Sequence, residues 1–405
     1  MKVAIIGGGA AGMFSAIQVK VNHPNAEVIV FEKSQKVLSK LKISGGGRCN
    51  VTNGVDSIAE LVKAYPRGGK KLKKLFPIFN NKTMQKWLLD RGVETLIQED
   101  RCVFPVAQDS QVIIDCFLNE AKRLGVTIKF GAAVESIKQV DEKIKIYFAD
   151  DRHSSQVFDK VIATTGGSPQ RKGLDWLANL GHKIESPIPS LFTFNMPKES
   201  ITKLMGIVVE NAMTNIQGTK MKAEGPLLIT HWGMSGPAIL VLSSFGARYL
   251  SEQNYDFKVQ INWVHEINND RVKQELDKIV EEHPKKILAN YRPYLLPERL
   301  WLYLVEKCEL DEKKKWGDLS KKGVNKLINI LTNDIYSVQG KTTFRDEFVT
   351  CGGVSLEDVD FKTMQSKVVK NLYFAGEVLD IDAITGGYNF QGAWTTGFIA
   401  GRLGE

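Results

Sequence analysis

The stretch Lys2-Val3-Ala4-Ile5-Ile6-Gly7-Gly8-Gly9-Ala10-Ala11-Gly12 decides how this chain is read. Lys2–Ile6 is a short apolar run, the glycines follow at once, and Met13, Ala16 and Ile17 then recur at helical spacing. Strand, glycine turn and helix in that order predict a βα unit that holds phosphate. Gly7 suits the tight turn, Gly9 lets the backbone approach a pyrophosphate, and Gly12 lets the helix pack close to the strand. The helix N-terminus offers unpaired N–H groups and the positive end of its dipole. A second strand, Val28–Phe31, ends in Glu32, twenty residues after Gly12. An acid there accepts a hydrogen bond from a ribose 2′-hydroxyl and repels a 2′-phosphate. A glycine pattern alone is weak evidence; with the strand, the helix and the acidic end it predicts a dinucleotide site. The bland alternative is a tight turn with no ligand.

The chain has 405 residues, a length for two or three domains, and an ordinary balance of apolar and charged residues. The first strand starts at Val3, so no leader segment is expected, and no apolar run is long enough to span a bilayer. Five scattered cysteines (Cys49, Cys102, Cys116, Cys308, Cys351) form no CxxC pair. They predict a reducing, cytoplasmic setting, no disulfide framework and no metal site. The formal charge is +8. Lysines gather at Lys70-Lys71-Leu72-Lys73-Lys74, at Lys285-Lys286 and from Lys313 to Lys322. These runs lie far apart in sequence and lack interleaved aromatics, so they read as solvated helix faces rather than a nucleic-acid patch.

After Glu32 comes Ile43-Ser44-Gly45-Gly46-Gly47-Arg48-Cys49-Asn50-Val51-Thr52-Asn53. Three consecutive glycines are entropically costly, and the usual reason to keep them is backbone passing close to a ligand. Residues from Ile58 to Arg91 read as helices, Val93–Glu99 as a strand, Gln111–Leu124 as a helix and Val126–Phe130 as a strand. Ala133–Lys138, Ile144–Phe148 and Val157–Phe158 alternate as a half-buried antiparallel meander. A buried strand, Lys160–Ala163, and the turn Thr164-Thr165-Gly166-Gly167 follow. Such a meander crossing into a glycine turn is the plan of FAD enzymes of the glutathione-reductase type rather than of plain NAD dehydrogenases. Pro187, Pro189 and Pro197 mark a linker. Strands Ile207–Ile216 and Phe257–Val264, the loop Thr230–Pro237, a helix Ala238–Leu250 and a helical stretch to Thr332 then form a second domain. The chain returns with Val349–Val354, with Asn371–Phe374 running into Ala375-Gly376-Glu377, and with Thr385-Gly386-Gly387-Tyr388-Asn389-Phe390-Gln391-Gly392 opening a last helix, Ala393–Leu403. The expected domains are 1–188 with 346–405, and an inserted domain 189–345. The insert has a β-rich body (189–265 and 333–345) and a helical subdomain (266–332).

On the Gly7–Gly12, Ser44–Asn53, Thr230–Pro237, Gly352–Val354, Phe374–Asp380 and Thr385–Gln391 motifs, the chain resembles the BaiN/RdsA-like (YhiN-type) NAD(P)/FAD-dependent oxidoreductases. The resemblance runs end to end. It implies an α/β, Rossmann-like FAD-binding domain of the glutathione-reductase type, interrupted by a β-barrel-like domain with a helical insert. It also implies reduction of carbon–carbon double bonds in steroid-like enones by some members. It carries FAD contacts onto Gly7, Gly9, Ala10, Ala11, Gly12, Glu32, Lys33, Ser44, Gly46, Arg48, Asn50, Val134, Gly166, Gly376, Glu377, Tyr388, Asn389 and Gln391. There is no second GxGxxG after a strand, so NADPH or NADH is expected as a transient donor only.

Flavin carries hydride chemistry itself, and the protein orients substrate and tunes potential. His231, Arg48 and Tyr388 are the catalytic candidates: a proton donor near neutral pH, a holder of anionic flavin or a substrate carbonyl, and a proton donor or stacking ring. The bland readings are a capping histidine, a structural arginine and a packed tyrosine. Cys49 and Cys351 read as small buried fillers; Arg101, Phe104 and Trp232 are weighed as site lining. The expected function is an FAD-dependent oxidoreductase passing hydride from NAD(P)H through flavin N5 to an electron-poor small molecule, with no membrane or nucleic-acid partner. The alternatives are an oxidase or dehydrogenase with another acceptor, and a non-catalytic FAD-containing factor that binds RNA or protein.

Overall fold

The structure, a computed structural model, describes residues 1–342 and 349–405, so the domain boundary expected at residues 345 and 346 lies outside the described residues. Two compact units divide the chain: Met1–Ser190 with residues 349–405, and residues 191–342.

The first unit is built on β1 (Lys2–Ile6), α1 (Ala10–Asn22), β2 (Glu27–Glu32), α2 (Ser110–Arg123), β3 (Thr127–Phe130), β4 (Lys160–Ala163), β5 (Leu372–Phe374) and α3 (Tyr388–Ala400). These strands line up in parallel as β5-β4-β1-β2-β3, with two short antiparallel strands (Gln365–Ser366, Val359–Asp360) on the β5 edge. β1 pairs on both sides, Val3 opposite both Val28 and Lys160, and Val3, Ala4 and Ile5 are fully buried. A strand covered on both faces has to be apolar throughout, which is why this run does not alternate. α1 is buried along most of its length and lies against α3, where Ser15 Oγ donates to the Gly397 carbonyl at 3.3 Å. A Cβ on Gly397 would stand 3.0 Å from the Ala11 carbonyl oxygen, so the small residues of α3 set this close approach. Phe14 fills the space between the helices and meets Trp87, Phe117 and Trp394 edge-on at 5.2–6.0 Å. The meander is a three-stranded antiparallel sheet, Val134–Val140, Lys143–Phe148 and Gln156–Phe158.

One sequence expectation is overturned. The proline-rich stretch read as a linker contains a strand, Ile184–Pro189, paired antiparallel with Thr350–Val354. The register breaks between Glu185 and Ile188, so the ladder is irregular where Pro187 stands, and a two-stranded sheet needs donors on one side only. The stretch 58–91 is also more broken than expected, with helices at Ile58–Lys63, Gly69–Leu72 and Asn81–Leu89.

In the second unit, seven strands are hydrogen-bonded in the order 334–339, 256–262, 208–216, 222–230, 233–235, 193–195, 341–342. The first and last of these are joined by Gly340 alone, so the sheet closes on itself like a barrel. The helix Pro237–Glu252 covers it. Asn269–Glu282, Glu298–Lys307 and Lys321–Thr332 form the helical insert around stacked Trp301 and Trp316, whose ring centroids are 5.9 Å apart. No helix among the described residues is long and apolar enough to cross a membrane.

Candidate functional site

At the carboxyl ends of β1, β4 and β5 the chain makes its glycine turns, beside the acidic end of β2, the place where open α/β sheets take ligands. The three glycines of the first turn differ in what surrounds them. A Cβ on Gly7 would stand 2.6 Å from the Thr164 carbonyl oxygen, and one on Gly12 would stand 1.9 Å from that of Gly7. A Cβ on Gly9 would meet no atom within 4 Å. Gly7 and Gly12 therefore serve packing, and Gly9 presents open backbone. Glu32 accepts from the Gly8 amide at 2.8 Å and from the Ser34 amide at 2.8 Å, which aims its carboxylate into the turn. Thr164, just past β4, donates to the Ile6 and Gly7 carbonyls and ties the second glycine turn to the first. Gly166 there is again open on its Cβ side.

The Ser44–Asn53 loop is held from both ends. Gly45, Gly46 and Gly47 all take positive φ (57°, 68° and 87°), which other residues adopt only under strain. Beyond them the Cys49 amide donates to the Ser44 carbonyl, and the Val51 amide to that of Val103. Arg48 lies over the Phe104 ring at 4.2 Å, and its Nε donates to the Gly45 carbonyl at 3.1 Å. Cys49 is fully buried and burial pushes its thiol up to about 12, which disfavours the thiolate that a nucleophile needs. Asn50 Oδ1 accepts from the Val103 amide, and Asn53 Nδ2 donates to the Gly386 carbonyl at 3.0 Å.

The carboxyl-terminal part completes the arrangement. The Gly376 amide donates to Thr396 Oγ1. Glu377 accepts from the Thr350 amide at 2.8 Å and from Lys40 Nζ at 2.9 Å. α3 starts at Tyr388, five residues before the expected start, with Gly387 as its left-handed cap. A Cβ on Gly387 would be 2.3 Å from the Thr52 carbonyl oxygen, so this cap has to be glycine. Neither α1 nor α3 has a side-chain cap at its N-terminus. Both therefore keep first-turn amide donors for an anion or an electron-rich edge.

Within this unit Gly7, Gly9, Ala10, Ala11, Gly12, Glu32, Gly166, Gly376, Glu377 and Tyr388 are brought to one end of the sheet, with the Ser44, Gly46, Arg48 and Asn50 loop bound to the Gly386–Gly387 turn. Val134 opens the meander two residues after Ala132, whose amide donates to the Glu32 carbonyl. Lys33 is exposed. Two of the expected cofactor residues use their side chains elsewhere. Asn389 donates to the Ala383 and Ile384 carbonyls and accepts from the Ala383 amide. Gln391 is fully buried, accepting from Thr52 Oγ1 at 2.6 Å and donating to Thr395 Oγ1. Both side-chain amides shape the loop, and the Gln391 backbone amide donates to the Gly387 carbonyl. His231 and Trp232 belong to the second unit, on the turn between Lys222–Thr230 and Gly233–Ser235, with ring centroids 4.2 Å apart. Arg101 is exposed and faces Asp56 and Glu60. Cys351 is buried. Among the described residues no group of His, Cys, Asp and Glu could hold a metal ion.

Sequence reasoning missed the clamp behind the 380–388 loop. Arg67 donates through Nε to Asp382 Oδ1 at 2.6 Å and through Nη2 to Asp382 Oδ2 and Ser190 Oγ. Asp382 is fully buried, and burial pushes its carboxyl above the usual range against the pull of Arg67. Tyr65 donates to the Tyr388 carbonyl at 2.6 Å, and the Ile384 amide to that of Ala64. The Tyr388 phenol is raised to about 12 by burial and stays protonated at neutral pH.

Comparison with known proteins agrees with this architecture. A ribosomal RNA dihydrouridine synthase of Escherichia coli K12 is 30% identical over 420 residues, covering 98% of this chain and 96% of that protein. A 3-dehydro-bile acid delta(4,6)-reductase of Clostridium scindens is 25% identical over 409 residues, covering 99% and 98%. Among solved structures, the 3-ketosteroid delta1-dehydrogenase of Sterolibacterium denitrificans shares the fold with a TM-score of 0.51 at 11% identity, covering 98% of each chain. The family described as HI0933-like protein Rossmann domain matches residues 1–403, and the chain belongs to it.

Proposed function

We propose that this protein is an FAD-dependent reductase that saturates a carbon–carbon double bond conjugated to a carbonyl, drawing hydride from NADPH or NADH. The observation that carries this reading is the set of open glycine turns, uncapped helix N-termini and strand-end acids at one end of a parallel sheet. Bound there, FAD supplies hydride transfer at N5. The amides of Gly9–Ala11 at the start of α1 suit the pyrophosphate, and Glu32 suits the adenosine ribose. Glu377 suits the ribityl chain, and the α3 N-terminus suits the flavin edge that becomes electron-rich on reduction. Arg48, pinned on Phe104, adds a fixed positive charge. Tyr388, protonated at neutral pH, is the proposed proton donor to the substrate carbon that does not receive hydride.

Both relatives support the reaction class. The delta-4 and delta-6 double bonds conjugated with a 3-keto group and the C5=C6 bond of uracil conjugated with its C4 carbonyl share one feature, a carbon–carbon double bond polarised by a carbonyl. Against the small molecule expected from the sequence, the ribosomal RNA named for the Escherichia coli relative, together with the charge of +8, favours a uracil within RNA. A flavin oxidase and a non-catalytic flavoprotein are the rival readings.

The test starts with the absorption spectrum of the purified protein and anaerobic addition of NADPH and NADH. Flavin bands that bleach with one nucleotide, followed by dihydrouridine in added ribosomal RNA, are the expected result. Reduction of a 3-keto-Δ4 steroid instead would move the substrate to the small-molecule class. No flavin bands even after adding FAD would sink the reading altogether.

A further inference from the structure

We propose that the surface of residues 61–89 is the docking face for the phosphate backbone of an RNA substrate. The proposal rests on the RNA reading above and adds where that substrate is held. Between Glu60 and Asp90 lie 29 residues with eight Lys or Arg and not one Asp or Glu. Lys63, Lys70, Lys73, Lys74 and Lys82 are exposed. The ion pairs recorded in this segment are those of Arg67 with Asp382 and of Lys86 with Asp90; among the described residues none is recorded for those five lysines. A solvated helix face in this protein looks different. On Asn269–Glu282, Lys273 pairs with Asp277 and Lys278 with Glu282, four residues apart. Crowding lysines at 70, 71, 73 and 74 with no acid between them costs repulsion, and a polyanion relieves it.

The fold directs these charges outward and ties the start of their segment to the loop that leads into α3. Leu72, Leu75, Phe76 and Phe79 are buried and anchor the segment, which leaves Lys70, Lys73 and Lys74 facing solvent. The same segment is fastened to the site loop: Ala64 to Ile384, Tyr65 to Tyr388, and Arg67 to Asp382. A backbone lying on this face is therefore held at a set position relative to Tyr388 and the Gly386–Gly387 turn. Phosphates there set the register of the strand, while the base enters the site.

The experiment compares the full-length wild type with Lys70→Glu/Lys73→Glu/Lys74→Glu, using deproteinised ribosomal RNA as the probe across a salt series. The expected result is at least tenfold weaker binding at low salt, and a slope of log affinity against log salt shallower by about two to three. Lys313→Glu/Lys315→Glu/Lys321→Glu on the helical insert should bind within twofold of wild type. Melting temperature and flavin absorbance check that each variant is folded, and Lys70→Gln/Lys73→Gln/Lys74→Gln replaces the first variant if it is not. Wild-type affinity in the triple variant, or no RNA binding by the wild type, overturns the proposal. So does capture by phosphatidylglycerol vesicles with RNA left unbound. Dihydrouridine formation is measured in parallel. A wild type that binds through these lysines but forms no dihydrouridine breaks the functional reading and leaves the docking face standing. Unchanged dihydrouridine formation with unchanged binding in the variant does the reverse.

Discussion

Lys313, Lys314 and Lys315 are preceded by Asp311 and Glu312 and followed by Asp318, whereas Lys70, Lys71, Lys73 and Lys74 have no acid between Glu60 and Asp90. In the insert the charge is answered in part: Lys326 reaches Glu309 at 2.6 Å, and the charge of Lys322 also holds that carboxyl low, while among the described residues Lys313, Lys314 and Lys315 have acids beside them in sequence but no recorded ion pair. In 61–89 the partly buried Arg67 is committed to Asp382, and the exposed Lys70, Lys73 and Lys74 stand close together in sequence. Past Asp90 the ordinary pattern resumes, with Arg91 and Arg123 sharing Glu120 at 2.7 and 2.8 Å. Lysine counts alone do not separate the two regions; the distribution of acids around them does.

The largest effect should come from breaking the anchor under the basic face. Asp382→Ala leaves the Arg67 guanidinium, whose side chain is only 11% exposed, without its carboxylate. We expect a loss of about 3–5 kcal/mol in urea unfolding and poor flavin retention; a stable variant that keeps flavin would mean the clamp is dispensable. Next comes the boundary where acids return. The Arg123 hydrogen bond, aided by Arg91, lowers the Glu120 carboxyl to about 2. Its stabilisation is therefore present above the unfolded carboxylate pKa of about 4.3 and lost as pH falls toward the folded value. Glu120→Gln should cost about 2 kcal/mol at pH 7, and the gap to wild type should narrow only below that unfolded pKa. A gap that stays constant to pH 3 would refute the assignment. Reversing Lys70, Lys73 and Lys74 should weaken RNA binding by about 1.4 kcal/mol or more, the equivalent of tenfold. The same reversal in the insert should change affinity less than twofold, and neither set should shift stability by more than about 0.5 kcal/mol per site. Equal losses in both regions would erase the distinction drawn here.

Much of the first unit could be read from its sequence, because its determinants are local. β1, its glycine turn, Glu32, the alternating meander and the Gly376-Glu377 end all follow from the residues at hand. What escaped was set by partners far away. Ile184–Pro189 becomes a strand only because Thr350–Val354 comes to lie beside it. Asn389 and Gln391 stand next to a glycine turn, and nothing local tells whether such an amide faces a ligand or a neighbouring backbone. Arg67 and Asp382 are 315 residues apart and carry no motif. The isolation of the lysines at 70–74 was visible as a missing acid, but its weight came from the fold, which ties that segment to the site loop.

The pairing of α1 with α3 places the first turn of the chain against its last helix. On a ribosome the second unit, contiguous in sequence, is fully synthesised and free to fold while the first still lacks β5 and α3. The amino-terminal βα unit must therefore wait, its apolar faces uncovered, until α3 has left the exit tunnel. Dinucleotide capture thus has to follow the synthesis of α3, and a chain stopped short of Tyr388 is born without a site rather than with a weakened one.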